Sequence, residues 1–166
     1  MGTVSPLYRR MTYLLVVATF LLMLMGGYVK AIGAGLSCPD WPLCYGQVFP
    51  FLQGDVYAYT PWMIFSEWFH RLWASMVGLF MLAMLYWSFS YNSKVPLLFR
   101  LSILCVLLFG VQVILGGLTV IMGLNQYIVV FHLGNAILII MMEMTIAFVA
   151  TVNSNITFVA PTNTSN

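Results

Sequence analysis

Two histidines, a spaced cysteine pair and one glutamate carry most of the chemistry this sequence offers. His70 and His132 are its only histidines. Cys38 and Cys44 bracket Pro39-Asp40-Trp41-Pro42-Leu43, and Glu67-Trp68-Phe69-His70-Arg71 reads ExxHR. Residues three and four apart share a helix face, so Glu67 stands one turn from His70 and beside Arg71. Two imidazoles held at one level from different helices can supply both axial ligands of a haem iron. The same two residues can also serve as plain hydrogen-bonded contacts between helices. Glu67 likewise has two readings. It can form an ion pair with Arg71 that lowers the cost of both charges, or be a carboxylate at a haem edge that moves protons or steadies positive charge.

These residues must be positioned by membrane helices. The chain has 166 residues, 62% hydrophobic and 6% charged, with mean hydropathy +0.97. A soluble domain of this size would have too few charges for its surface. A spanning helix needs roughly 20 apolar residues. Four stretches qualify, at Met11–Val29, Trp62–Ser90, Leu101–Leu124 and Tyr127–Ala150. The sequence therefore predicts an all-α integral membrane protein, a four-transmembrane-helix bundle forming one domain over residues 1–150. The uncharged run after Arg9 and Arg10 exceeds a signal-peptide core, which favours a retained first helix. Arg9, Arg10, Lys94 and Arg100 fall on one side of the spans, against Lys30 and Arg71 on the other. This bias puts both termini in the cytoplasm and the loop of about residues 30–61 outside the cell. Residues 151–166 read as a polar, disordered cytoplasmic tail. Its glycosylation patterns at Asn155 and Asn163 would go unused there.

The helices bring the histidines level. Helix 1 ends in GGYVKAIG from Gly26, and helix 3 ends in GGLTVIMG from Gly116. Each is followed by a helix with one histidine near its outer end. The chain thus reads as two helical hairpins in a parallel repeat, although small residues are also common wherever membrane helices pack. His70 and His132 would lie roughly 12 and 8 Å below the outer surface. A tetrahedral zinc site would need further ligands, and the cysteines belong to a loop beyond the membrane. Gly116 and Gly117 would let backbone or a porphyrin edge come close. Lys30 and Arg71 could pair with haem propionates, or simply reach the headgroups. Outside the membrane Cys38 and Cys44 can form a disulfide, as a structural staple or as a redox pair. Cys105 reads as a small buried apolar residue. Glu143 is expected to pair with Arg100 at the inner surface, with a proton path as the other reading.

Taken together, GGYVKAIGAGLSCPDWPLCYG, EWFHR, QVILGGLTV and VVFHLGNA resemble the heme A synthase family. The resemblance runs from about Gly26 to Ala136, through the four helices in order. It implies an oxidoreductase that converts the C8 methyl of heme O to a formyl group, giving heme A for terminal oxidases. Family members usually have eight helices in two halves, and this chain resembles the N-terminal half. Carried onto these positions, the resemblance makes His70 and His132 the axial ligands and Glu67 the catalytic carboxylate. It makes Cys38 and Cys44 a disulfide pair. Lys30 stands where the family often has Arg.

The implied cofactor is haem, as heme O substrate, heme A product or haem b. One histidine pair supports one such site, so a homo-oligomer is expected to replace the second half. Heme O synthase and a membrane electron acceptor are further expected partners, in the cell membrane of a prokaryote. No nucleic-acid partner is expected. Three rival readings remain: a b-type cytochrome, a haem-binding oxidase assembly factor, and a thiol oxidoreductase. The thiol reading is weakened because such enzymes generally carry a reactive CxxC.

Overall fold

The structure, a computed structural model, describes residues 4–50 and 58–155. Among these the chain forms four helices: α1 Pro6–Ala31, α2 Pro61–Phe89, α3 Pro96–Ile121 and α4 Gln126–Asn155. All four are long and apolar enough to cross a membrane. The protein is therefore an all-helical, multi-pass membrane protein. The parts of the expected loop and tail at residues 51–57 and 156–166, including Asn163, lie outside the described residues.

Capping chemistry sets where the helices begin. Pro6, Pro61 and Pro96 each open a helix, where a missing N–H is no loss and the fixed φ suits the first turn. Ser5 Oγ accepts from the Tyr8 amide at 3.1 Å, and Thr60 Oγ1 from the Met63 amide at 3.4 Å. Asn125 Oδ1 accepts from the Tyr127 amide at 3.0 Å at the head of α4. As a result α1 and α3 start five residues earlier than the apolar stretches at 11 and 101. Hydropathy marks only the oily part of a helix, whereas the cap fixes its end. At the other terminus α4 runs on through Thr151 to Asn155, residues expected in the tail. Its last turns are tied down: Arg9 Nη1 donates to Ser154 Oγ at 3.1 Å, and the Val4 amide to the Asn153 carbonyl at 3.4 Å.

The repeat is visible in the helix ends. Gly33 and Gly123 both adopt positive φ, +73° and +58°, which glycine tolerates best. After α1, the Ala34 amide donates to the Val29 carbonyl and Gly33 to Lys30. After α3, Leu124 donates to Thr119 and Gly123 to Val120. These are the same two bonds at matched positions, the Schellman pattern that closes a helix.

The helices form a four-cornered bundle. α1 packs on α2 and α4, and α3 packs on α2 and α4, while the backbones of the diagonal pairs stay apart. The core includes Leu15, Leu22, Val77, Met81, Cys105, Ile139 and Ile146. Tyr8 sits edge-on to Trp87 and Tyr91 at 5.5 and 5.2 Å. Leu14, Leu79, Leu107 and Phe148 point outward, as a lipid-facing surface requires. The loop after α1 folds over one end of the bundle. At Gly35 an added Cβ would stand 3.3 Å from Leu124, so this loop lies on the α3–α4 turn.

Candidate functional site

The loop and the ExxHR stretch form one hydrogen-bonded unit. Cys38 and Cys44 are joined by a disulfide, with Cα atoms 4.7 Å apart. Both are buried against Ile64 on α2. Asp40 pins the turn, accepting from the Tyr45 and Gly46 amides at 2.6 and 2.7 Å. Glu67 rises into this loop from α2 and is 3% exposed. Its Oε2 accepts from Ser37 Oγ at 2.9 Å and from the Cys38 amide at 2.8 Å. Its Oε1 accepts from Arg71 Nη2 at 2.6 Å. A buried carboxylate requires such partners, because an unpaired charge there is very costly. Arg71 then reaches further. Nη2 also donates to the Cys38 carbonyl at 2.8 Å, and Nη1 to the Asp40 and Leu43 carbonyls at 2.6 and 2.8 Å. Arg71 was read as able to pair with a propionate or to reach the headgroups. In this structure its two terminal nitrogens hold the disulfide loop, because those carbonyls have no helix or strand to satisfy them.

One turn below Glu67, His70 packs against α1. A Cβ added at Gly26 would stand 3.0 Å from His70 Cε1. His132 makes the equivalent contact with α3, where a Cβ at Gly116 would stand 3.3 Å from its Cε1. Each imidazole therefore lies against the first glycine of the Gly-Gly pair in the preceding helix, where a side chain would displace it. The two rings come from diagonal helices, α2 and α4. Both Nδ1 atoms are buried without a partner among the described residues. His132 Nε2 has one long contact, 3.4 Å to Gln112 Nε2. Asn135 Nδ2 orients that glutamine, donating to Gln112 Oε1 at 2.8 Å and to the Leu108 carbonyl at 3.0 Å.

The other expected residues are distributed differently. Gly117 faces the Trp41 indole, which an added Cβ would meet at 3.0–3.2 Å. The loop thus covers the glycine expected to meet a porphyrin. Lys30 is exposed and lies one turn beyond Gly26 on α1. Glu143 forms no ion pair with Arg100. It is buried inside the bundle and accepts from Thr19 Oγ1 at 2.9 Å. Cys105 is a free, buried thiol. Sequence reasoning missed Ser37, Trp41, Gln112 and Asn135. A glutamine alone in an uncharged span, and an asparagine three residues after a histidine, were signals that could have found the last two.

The arrangement fits an iron-bearing macrocycle better than a bare metal. No group of three or more His, Cys, Asp or Glu among the described residues could hold a metal ion, which leaves a tetrahedral site without ligands. Two imidazoles from opposite corners, with buried ring nitrogens lacking strong partners, are residues that could hold a haem iron.

Comparison with known proteins adds a family. The model of the cytochrome oxidase assembly protein family, COX15-CtaA, matches residues 9–164. A protein named heme A synthase from Symbiobacterium thermophilum is 31% identical over 131 residues, covering 79% of this chain and 40% of that protein. One of the same name from Shewanella oneidensis is 32% identical over 142 residues, 75% of this chain and 41% of its own length. Another, from Shouchella clausii, is 29% identical over 127 residues, 76% and 40%. The chain thus spans about 40% of the length of these curated relatives. No solved structure matches.

Proposed function

The chain belongs to the cytochrome oxidase assembly protein family COX15-CtaA, and on that premise we propose that it oxidises the C8 methyl of heme O to a formyl group, giving heme A. The relatives it matches are named heme A synthase. The observation that carries the reading is the meeting, at one end of the bundle, of two glycine-backed imidazoles and a carboxylate held by three donors.

In this reading His70 and His132 would hold the haem iron, which would supply the redox chemistry when bound. The chain's own groups do the rest. Gly26 and Gly116 leave room for the two rings and keep them against α1 and α3. Glu67, one turn from His70, would take up protons released as the methyl is oxidised, the electrons leaving to a membrane electron acceptor. Ser37, the Cys38 amide and Arg71 fix the position of that carboxylate. Lys30 offers an ammonium to a propionate, a task that needs a point charge rather than a fork. The disulfide loop closes the end of the site and excludes water. It faces outward from the cell membrane of a prokaryote, with both termini inside, as the Lys and Arg distribution favours. Heme O is the substrate and reaches the site from the membrane. Association with a second copy belongs to the same reading, since the chain already packs two similar hairpins side by side.

The test is to express the chain with a source of heme O and extract the haems. Heme A should appear with the parent chain and be lost in Glu67→Ala. Bound haem without any heme A from the parent chain would sink the proposal and leave an electron-transferring b-type cytochrome.

A further inference from the structure

Beside His132 runs a chain of hydrogen bonds that the chemistry above does not use. Asn135 is buried, and its Nδ2 donates both to the Leu108 carbonyl at 3.0 Å and to Gln112 Oε1 at 2.8 Å. Gln112 Nε2 stands 3.4 Å from His132 Nε2. The first of these partners fixes the direction of the whole chain. A backbone carbonyl only accepts, so Asn135 must face Leu108 with its amide nitrogen. That same nitrogen meets Gln112, which must then turn its oxygen to Asn135 and its nitrogen to the imidazole. An amide nitrogen only donates. His132 Nε2 is therefore the acceptor, and in the neutral ring the proton sits on Nδ1. With the proton on Nε2, two N–H groups would point at each other. His132 Nδ1 has no partner among the described residues, so the Gln112 amide is the contact that sets the tautomer.

The tautomer decides which nitrogen can bind a metal. An imidazole ligates through a bare lone pair, and its hydrogen-bond partners determine which nitrogen carries the proton. Here the bare nitrogen is Nε2. The contact that marks it is long, so a stronger ligand can displace it, while the 2.8 Å bond keeps the glutamine in place. Two amides kept only to join α3 and α4 would be complete with that bond; the donor aimed at the imidazole is additional. The first hairpin has no such pair. Leu22 stands four before Gly26 where Gln112 stands four before Gly116, and Trp73 follows His70 by three where Asn135 follows His132. We propose that Gln112, oriented by Asn135, is a positioning residue that holds the proton of His132 on Nδ1 and keeps Nε2 available to the haem iron. The identity of that ligand rests on the haem reading above, whereas the tautomer does not.

The test uses the full chain, haem-free in detergent micelles, labelled with 15N-histidine. His70 and His132 are the only histidines, so NMR reads two rings. At about pH 8, above the usual imidazole range, His132 of the parent should show its proton on Nδ1. Gln112→Leu should mix or invert that pattern and leave the His70 ring unchanged. A parent His132 protonated on Nε2, a pattern unmoved by Gln112→Leu, or an equal change in both rings would overturn the proposal. If Gln112→Leu does not fold, Asn135→Leu takes its place, since it frees the glutamine to turn, and the same outcomes decide. Titration with hemin then reads the consequence. Gln112→Leu should bind about tenfold more weakly or worse, and affinity equal to the parent's would refute the positioning role. A parent that takes up no hemin would instead sink the haem reading, with the tautomer still decided by the ring spectra.

Discussion

Removing Arg71 should release the disulfide loop and strand Glu67, and the size of the effect follows from the contacts. Arg71 makes four bonds of 2.6–2.8 Å, three to the Cys38, Asp40 and Leu43 carbonyls and one to Glu67. The Glu67 side chain is 4% exposed and that of Arg71 16%. Breaking a buried ion pair by removing one partner costs about 3–5 kcal/mol. The exposure of Arg71 admits some water to the gap, and Asp40 and Leu43 can turn their carbonyls to solvent. Arg71→Ala is therefore placed at the lower end, about 3 kcal/mol, or about 150-fold in the unfolding constant. Arg71→Lys restores the charge but gathers its donors on one nitrogen, which cannot span four acceptors. It should recover only part of the loss. The assay is denaturant unfolding of the haem-free protein in detergent micelles, followed by tryptophan fluorescence. If Arg71→Ala lies within about 1 kcal/mol of the parent, the pair behaves like an exposed surface bridge and the reasoning fails. If Arg71→Lys matches the parent, charge alone matters and the bonds to the loop do not.

Three further outcomes are expected. Glu67→Gln keeps the shape but turns an amide donor toward Arg71, Ser37 or the Cys38 amide, all of which donate; it should destabilise by about 1–3 kcal/mol in the same unfolding assay and lower heme A yield. Gly26→Ala should displace the His70 ring more than Gly116→Ala displaces His132, since the contacts are 3.0 and 3.3 Å; absorption and EPR spectra of bound haem should show the larger loss of bis-histidine ligation in Gly26→Ala, and unchanged spectra in both would refute the seat. Replacing Cys38 and Cys44 by Ser frees a loop closed over a sequence separation of 6, and should cost about 2 kcal/mol by chain entropy, read as a lower denaturation midpoint.

Much of the architecture was legible because a membrane leaves few choices. Apolar length alone marked the helices, and hydropathy missed the capped starts of α1 and α3 and the last turn of α4. Pro6, Pro61 and Pro96 carried that missing signal, at positions where the apolar count had not yet begun. The histidines were legible because an ionisable group in a span needs a reason. Their partners were harder. Gly26 and Gly116 were visible as a repeat, but only the three-dimensional packing shows that the first glycine of each pair meets a ring, while Gly117 meets Trp41. The partners of Arg71 could not be read from spacing, because a loop carbonyl has no sequence signature. The local i,i+4 rule gave Glu67 as its neighbour, and the other three bonds come from a loop 28 to 33 residues away in sequence. The same limit misplaced Glu143. Its depth along the helix suggested Arg100 as a partner, with a proton path as the other reading, whereas the fold buries it beside Thr19, 124 residues distant.

The two hairpins share geometry and divide chemistry. The Schellman ends at Gly33 and Gly123 and the ring contacts at Gly26 and Gly116 repeat closely. Yet the position three before the histidine is Glu67 in α2 and Val129 in α4, and the position after it is Arg71 against Leu133. The position four before the glycine pair is Leu22 in α1 and Gln112 in α3. The first hairpin therefore concentrates charge above its histidine, under the disulfide loop. The second surrounds its histidine with neutral amides, Gln112 and Asn135. A substrate bound between the two rings would meet a carboxylate and a guanidinium on one side, and lipid-compatible polar groups on the other. That asymmetry favours one orientation of a planar ligand, because a group that must exchange protons is stabilised only on the Glu67 side. Exchanging the environments, with Glu67→Val and Val129→Glu together, should leave the bis-histidine spectrum in place and abolish heme A formation. Val129 has no Ser37, Cys38 amide or Arg71 at hand to hold the new carboxylate. Undiminished turnover in that double variant would show that the position of the carboxylate, and hence the loop that fixes it, does not matter.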